Sequence, residues 1–307
     1  MLIANPTAGQ GRVRWMAGFI QSALERHGAE VTLVLTGGLR DAAEAAEYVK
    51  ASGRFDRIVV AGGDGTINQV VTQLVGTDIP MAILPVGTAN SLAREIHLPF
   101  NLRSAARVAV EGIPVKVDVG RVGDAYFLLE VSAGFDAAVV LSVQKPAKRW
   151  LGPFAYVFNG LSLLRTYAPF DITCVADGKT IHATCNTVLA SNSATYAYGV
   201  RLTPGANIHD GKIDLCILHA GKYPLAWQIL AAIFNRLGPR VGAHTIQASS
   251  IRIESNPPVY VQIDGDPAGM TPLDIECVPA ALSLVIPARY ARHLPVRTPP
   301  AGEAMSP

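Results

Sequence analysis

The sequence predicts an α/β protein in two parts: an N-terminal doubly wound, mainly parallel α/β domain over residues 1–112, and a C-terminal β-rich antiparallel domain over 113–290. Three observations carry this reading. Short apolar runs alternate with longer helix-like runs through the first third, the pattern of a mainly parallel sheet covered on both faces. Each of those apolar runs leads into a glycine-bearing loop. Beyond Glu111 the texture changes to alternating runs punctuated by Gly, Asp, Asn and Pro, as an antiparallel structure requires.

In chain order, LIAN reads as a strand, Val13 to His27 as a helix, VTLVL as a strand, Arg40 to Ser52 as a helix, RIVVAGG as a strand, Thr66 to Val75 as a helix and MAILP as a strand. Ligands of such sheets sit beyond the carboxyl ends of the strands. NPTAGQG, LTGG, VAGGDGT and LPVGTAN occupy those ends here, so four loops are expected to converge on one edge. In the second part KVDVGRVGDAYFLLEVSAG, FDITCVADGKTIHATCNTVLASN, GKIDLCILHA, IRIESNPPVYVQIDGD and LDIECVPAALSLVIP are β-type, with helix-like pieces at Gly152 to Tyr167 and Tyr223 to Leu237. A strand near 281–290 is expected to return to the first domain, and the Pro-rich tail over 293–307 to be loose.

Half of the 307 residues are hydrophobic and 16% are charged, which excludes a disordered chain and supplies one large core or two ordinary ones. A net charge of +2, with scattered basic residues, excludes the footprint of a nucleic-acid binder. Cys174, Cys185, Cys216 and Cys277 form no C-x-x-C pair and no zinc-finger spacing, and they read as free thiols of a reducing cytoplasm. The start has no signal-peptide pattern, and AWQILAAIF is far shorter than the about 20 residues of a membrane span. The expectation is a cytoplasmic protein, with peripheral attachment at the inner face of the membrane left open. The sequence allows a homodimer and does not require one.

Glycine loops between strand and helix suit phosphate, because backbone N–H groups approach closely and the helix N-terminus favours an anion. Two familiar versions fail. G-x-x-x-x-G-K-[ST] occurs nowhere, and G-x-G-x-x-G would need glycine where Arg14 or Asn68 stands. What remains is Gly62-Gly63-Asp64-Gly65-Thr66, which admits two readings. Asp-Gly is a common turn pair and Thr66 a candidate helix cap. Alternatively, Asp64 holds magnesium or its waters beside a phosphate. The seven histidines form no H-x-x-x-H or H-E-x-x-H, and no G-x-S-x-G occurs, so zinc-hydrolase and serine-esterase signatures are absent.

GGDGT with Asn68 two residues later, NPTAG near the amino terminus and LPVGTANSLARE downstream together resemble the diacylglycerol kinase catalytic domain family, which includes bacterial soluble lipid kinases and the sphingosine and ceramide kinases. The likeness continues through VDVGRV, GPFAYVFNGL, HDGKIDL and IDGD, from Leu2 to about Arg289. GGDG alone is shared with NAD kinases and phosphofructokinases; the three motifs in this order are the specific signal. The resemblance implies ATP and Mg2+, with ATP across the carboxyl edge of the first domain. Asn5, Pro6, Thr7, Ala8, Gly9, Thr36, Gly62, Gly63, Asp64, Gly65, Thr66, Gly87 and Thr88 match nucleotide contacts, and Asn90 closes the GTAN turn beside them.

On the acceptor side, IDGDPAG by itself is a hairpin signal. The resemblance matches Asp264 and Asp266 to the family's D-G-E pair, to which proton acceptance is assigned, with Asp266 one methylene shorter than the usual glutamate. Two carboxylates this close are also expected to couple, raising one pKa. Asp118 is otherwise an exposed strand position; the likeness joins it to Asp64 in a metal and water network. Asp210, with the backbone carbonyls of Asn207 and Lys212, matches a second, structural magnesium site. Gln10, Gln69 and Ser91 depart from the family pattern, and Arg12 and Arg94 are alternative sources of positive charge near the phosphates or else solvated side chains. Lys145, Lys148 and Arg149 precede an aromatic, apolar stretch that reads either as a buried helix or as a contact with an anionic bilayer.

The expected activity is phosphoryl transfer from ATP to a lipid hydroxyl, most simply that of diacylglycerol, taken from a membrane surface. The competing readings are a soluble-metabolite kinase of the NAD kinase kind and a catalytically silent nucleotide-binding protein.

Overall fold

The four apolar runs of the first third are strands whose residues are nearly all apolar, as parallel strands with both faces covered require. The structure is a computed structural model that describes residues 1–38, 40–142, 159–160, 162–164, 166–196, 199–221, 224–234 and 242–294. Strands β1 (Leu2–Ala4), β2 (Leu33–Leu35), β3 (Ile58–Gly62) and β4 (Met81–Pro85) lie in the order β2-β1-β3-β4, all parallel. Helices α1 (Arg12–Glu25), α2 (Asp41–Ser52) and α3 (Asp64–Leu74) connect them. On α3 the buried residues Ile67, Val70, Val71 and Leu74 form the stripe that an amphipathic helix turns to its sheet. After β4 come the short α4 (Ser91–Glu95) and then α5 (Leu102–Glu111), capped by the Asn101 side chain on the Ser104 N–H at 3.2 Å.

The change of texture falls where α5 stops and β5 (Ile113–Val122) begins. From there the chain forms β6 (Ala125–Phe127), β7 (Glu130–Gly134), α6 (Phe135–Ser142), β8 (Phe170–Ala176), β9 (Lys179–Ser191), β10 (Ile213–His219), α7 (Leu225–Ile233), β11 (Ala243–Ala248), β12 (Ser250–Asn256), β13 (Tyr260–Ile263), β14 (Asp266–Met270), β15 (Leu273–Ile286) and α8 (Ala288–Ala291). Pairing among β5 to β15 is antiparallel throughout. One crossing joins the two parts: β15 pairs with β5 along most of its length, and its far end lies parallel to β4 with Leu284 opposite Met81. The result is one continuous sheet with two main cores, one under the parallel strands that also takes in residues of β5 and β15 with Leu128, Leu129 and Ile208, and one within the β-rich part.

The helix expected at Tyr223 to Leu237 is α7, shorter at both ends within the described residues. Most of the piece expected at Gly152 to Tyr167, with Lys145, Lys148 and Arg149, lies outside the described residues, as does the tail beyond Leu294. Cys174, Cys185 and Cys216 are free thiols buried on β8, β9 and β10. Among the described residues no helix is long and apolar enough to cross a membrane.

Candidate active site

Because β1 to β4 run parallel, their carboxyl ends share an edge, and the glycine loops meet there. The contacts are close enough to need glycine at two points. A Cβ on Gly87 would stand 2.6 Å from the Gly63 Cα, so the loops after β3 and β4 touch backbone to backbone. Gly9 has φ +59°, and a Cβ there would meet the Val86 carbonyl at 2.5 Å.

Asn5 ties the first loop to the third. Its Nδ2 donates to Thr66 Oγ1 at 2.9 Å, and its Oδ1 accepts from the Thr7 N–H and hydroxyl. Thr66 therefore is no helix cap: α3 starts after Gly63, and the Thr66 hydroxyl is engaged by Asn5. Thr36 is buried after β2, its N–H on the Ala4 carbonyl. Asn90, at φ 50°, folds its amide back onto the Gly87 N–H and carbonyl, shaping the turn around the exposed Thr88. Arg12 and Arg94 each anchor a guanidinium on a loop carbonyl, Gly9 at 3.0 Å and Ala89 at 3.1 Å, so both positive charges stand at this edge.

Asp64 is the first residue of α3, where the helix dipole and free N–H groups favour a carboxylate. The Ser91 N–H, at the start of α4, donates to it at 3.1 Å. Burial raises its pKa and the amides of Ser91 and Leu92 pull it back.

The opposite wall comes from the β13–β14 hairpin. Asp264 and Gly265 both have positive φ, 47° and 86°, the two-residue turn that Asp-Gly favours. The turn points the Asp264 carboxylate at three successive amides, Leu128 (2.9 Å), Leu129 (3.1 Å) and Glu130 (2.9 Å). Burial lifts its pKa to about 6 against those donors, and the charge of Asp64 adds to the rise. Asp64, Ile67, Asn68, Leu92, Leu128, Leu129 and Asp264 line one small cleft. The hairpin reading and the catalytic reading of IDGD thus describe the same turn. Asp266 is exposed on β14, outside that lining, and the charge that adds to the rise at Asp264 is that of Asp64 rather than that of the neighbouring aspartate.

The cleft has the donors for a hard cation. Two carboxylates face it, and Asn68 Oδ1 is buried without a hydrogen-bond partner. Oxygen donors of this kind suit Mg2+ completed by water. No cluster of three acidic, His or Cys side chains able to hold a metal occurs among the described residues, so an ion here would rely on Asp64, the Asn68 amide and solvent.

Comparison with known proteins decides the family. Residues 1–122 match the model described as diacylglycerol kinase catalytic domain, and residues 129–286 match the YegS C-terminal NAD kinase beta sandwich-like domain. A diacylglycerol kinase of Mycobacterium tuberculosis (strain H37Rv) is 31% identical across 93% of this chain and 94% of its own length. The chain belongs to the diacylglycerol kinase catalytic domain family. A diacylglycerol kinase of Bacillus subtilis (strain 168) is 28% identical across 95% of this chain and 98% of its own length. The fold is shared with a crystal structure of a diacylglycerol kinase from Bacillus anthracis str. Sterne, at a TM-score of 0.76 and 24% identity, covering 94% and 96% of the two chains.

In this family member a second acidic group lies apart from the cleft lining. Asp118 is fully buried, which corrects the exposed-strand reading, and its carboxylate accepts from the Gly211 (2.6 Å) and Ala280 (2.8 Å) amides. Its contacts place it with the Asp210 loop. Asp210 accepts from the Lys212 N–H at 3.0 Å and shares the Gln247 amide with Asp214. The Asn207 side chain holds the His209 N–H in the same loop. Burial raises Asp210 and, to about 6, Asp214, and repulsion within the group adds to both. Such a loop suits a cation better than it suits bare carboxylates.

The motifs do not reveal the polar network behind the hairpin turn. Gln262 accepts the Gly265 N–H at 2.7 Å, while its amide nitrogen donates to Glu130 (3.0 Å), Ser132 (2.8 Å) and Asp136 (3.1 Å). The Ser132 and Tyr196 hydroxyls also donate to Asp136. Burial, then the charges of Asp136 and Asp264, push the Glu130 carboxyl well above its usual range. The available signal was a glutamate inside the apolar run FLLEVSAG and a glutamine inside VYVQI.

Proposed function

We propose that this chain is an ATP- and Mg2+-dependent lipid kinase that transfers the γ-phosphoryl group of ATP to a hydroxyl of diacylglycerol or a related neutral lipid. The observation that carries the reading is the shared cleft: Asp64, from the edge where four glycine loops meet, and Asp264, from the β-rich hairpin, line the same small space.

Phosphoryl transfer asks the protein for alignment, charge stabilisation and a proton acceptor. The loops at Gly62 to Thr66 and Gly87 to Asn90 would turn backbone N–H groups to the phosphates, Asn5 to Gly9 would close the edge beside them, and Arg12 and Arg94 add positive charge. Mg2+, held by Asp64 with Asn68 and water, would offset the charge that builds on the phosphate oxygens. A carboxylate has about four acceptor sites, and three on Asp264 are filled by backbone amides. The remaining one accepts the hydroxyl proton as the lipid oxygen bonds to phosphorus and the bond to the ADP oxygen breaks. A base with a pKa of about 6 is ionised at neutral pH yet less tied to that state than an ordinary aspartate. Asp266 follows Asp264 in the same hairpin, and the Asp210 carboxylate with the backbone carbonyls of Asn207 and Lys212 would hold a structural ion, beside the buried Asp118.

Labelled ATP incubated with mixed micelles of diacylglycerol, monoacylglycerol, a sphingoid base, ceramide or phosphatidylglycerol tests the reading, with NAD as the soluble control. Label in the organic phase with diacylglycerol supports it. Label on NAD alone, or on nothing while ATP still protects the fold, refutes it.

A further inference from the structure

Helix α7 is inside out. Gln228 is fully buried, its amide on the His219 carbonyl at 2.8 Å, with Ala231 and Ala232 buried beside it. Trp227, Leu230, Ile233 and the adjoining Phe234 are 51%, 42%, 56% and 65% exposed. At 3.6 residues per turn these four fall within about a third of the helix circumference. Together they show on the order of 400 Å² of apolar surface, within the range of the largest patch on a typical monomer, which is often functional.

The strand register says where this patch lies. Gly134 pairs with Thr187, and Thr187 with Leu218, so α6 leaves β7 and α7 follows β10 at the same end of the strands. Val261 stands opposite Ala133, which puts Tyr260 and its partner Met270 at that end too; they are 46% and 48% exposed. The other end of the same strands holds Glu130 and the Asp264 turn. Four residues of strand separate the two ends, about 13 Å.

Charge selects the occupant. From Leu215 to Ile253 the sequence has no Asp or Glu, and Lys222 and Arg236 each stand three residues outside α7. Asp171, on β8 near this end, is engaged by the Thr184 hydroxyl at 2.6 Å. A second copy would meet the same excess of positive charge, and about 400 Å² is half of the roughly 800 Å² that each partner gives a stable interface. An apolar, Trp-bearing face on a stretch of sequence that holds no Asp or Glu, with a lysine before it and an arginine after it in the chain, matches the headgroup region of an anionic bilayer.

We propose that the Trp227, Leu230, Ile233 and Phe234 face of α7 docks on anionic membrane and, with Tyr260 and Met270, forms the lipid-facing end of the molecule. The docking stands by itself; its use, to let a lipid rise about 13 Å along the β13–β14 hairpin to Asp264, rests on the kinase reading.

Flotation of the full chain without ATP, with phosphatidylcholine vesicles lacking or containing phosphatidylglycerol, tests it. The wild type is expected to float with the mixed vesicles and far less with the pure ones. The variant L230E/F234E should lose about 10²-fold in partitioning with an unchanged unfolding temperature, because both side chains are already exposed. On a short-chain diacylglycerol below its micelle concentration the variant should phosphorylate as the wild type does, and on vesicles it should fall behind. Equal flotation of the two chains, or no flotation of the wild type, overturns the proposal. So does a variant that floats normally but turns a wild-type dimer into a monomer in sedimentation, which would make the face a contact between copies. Flotation without phosphorylation of any lipid would sink the kinase reading and leave the docking intact.

Discussion

Two groups of aspartates in this protein are built from the same parts and differ in where their partners come from. At the cleft, Asp64 takes its N–H donor from α4, and Asp264 takes three from the turn before β7 and the first residue of that strand, a region more than a hundred residues away in sequence. At the Asp210 loop, Asp210 and Asp214 depend on one side-chain amide, that of Gln247, and on the loop's own backbone. Burial raises pKa values in both groups. Rigid backbone donors fix a carboxylate while its charge changes, which suits chemistry; a flexible amide shared by two acids leaves a standing repulsion, which suits a resident cation.

The comparison breaks most sharply at the hairpin. Asp264→Asn should lower kcat by about 10²–10⁴-fold if Asp264 takes the proton. The new amide would also face three N–H donors, at a cost of about 1–3 kcal/mol in stability, so thermal unfolding must be followed alongside. Asp266→Asn separates the roles, because its exposed side chain can change with little effect on the fold. A full 10²-fold loss in Asp266→Asn with an unshifted Tm would hand the proton to Asp266 and reduce Asp264 to a clamp.

Gln262→Leu is expected next in size. It removes a donor that serves Glu130, Ser132 and Asp136, together with the acceptor of the Gly265 N–H, and so leaves buried polar groups unmatched at about 1–3 kcal/mol. The turn would loosen and kcat fall by about 10-fold or more while KM for ATP stays put, since no glycine loop is touched. An unchanged kcat in a destabilised protein would confine the network to structure.

These two sites also differ in how far a sequence exposes them. The glycine loops were legible because each is local: a strand end, a turn and a helix start lie within a dozen residues, and β-α alternation alone puts all four at one edge. Asp264 was legible as a hairpin residue for the same reason. Its clamp on Leu128 to Glu130 was not, because that contact depends on the register of β13 against β7. Asp118 read as a surface strand residue since a single aspartate in an alternating run says nothing of β15 folding over it, and Glu130 passed unnoticed because its partner Gln262 lies over a hundred residues on.

The raised pKa of Asp264 sharpens the cleft side. The proton acceptor must be ionised, so kcat/KM should climb with pH through about 6 and level above it. A profile that instead levels near the ordinary aspartate value would mean that the amides of Leu128 to Glu130 outweigh burial. In Asp64→Asn, which removes the neighbouring charge, whatever activity survives should show the acid limb displaced downward.

The smallest effect tests the other group. Asp214 is 4% exposed and its pKa stands at about 6, above the usual 3.8. Below about pH 4 it is protonated both folded and unfolded, and contributes nothing. Between there and about pH 6 the folded chain keeps a proton that the unfolded chain has lost, so stability falls as pH rises, and above about 6 the full penalty remains, roughly 1–3 kcal/mol. Asp214→Asn keeps an oxygen for the Gln247 amide and removes the charge. Without Mg2+ its Tm should therefore exceed the wild-type value at pH 8 and match it at pH 4. Added Mg2+ should narrow the difference by stabilising the wild type, because a cation at the Asp210 loop relieves the repulsion that the substitution abolishes. A variant less stable than the wild type at both pH values would mean that the Asp214 carboxylate is satisfied as it stands, and the contrast between the two aspartate groups would collapse.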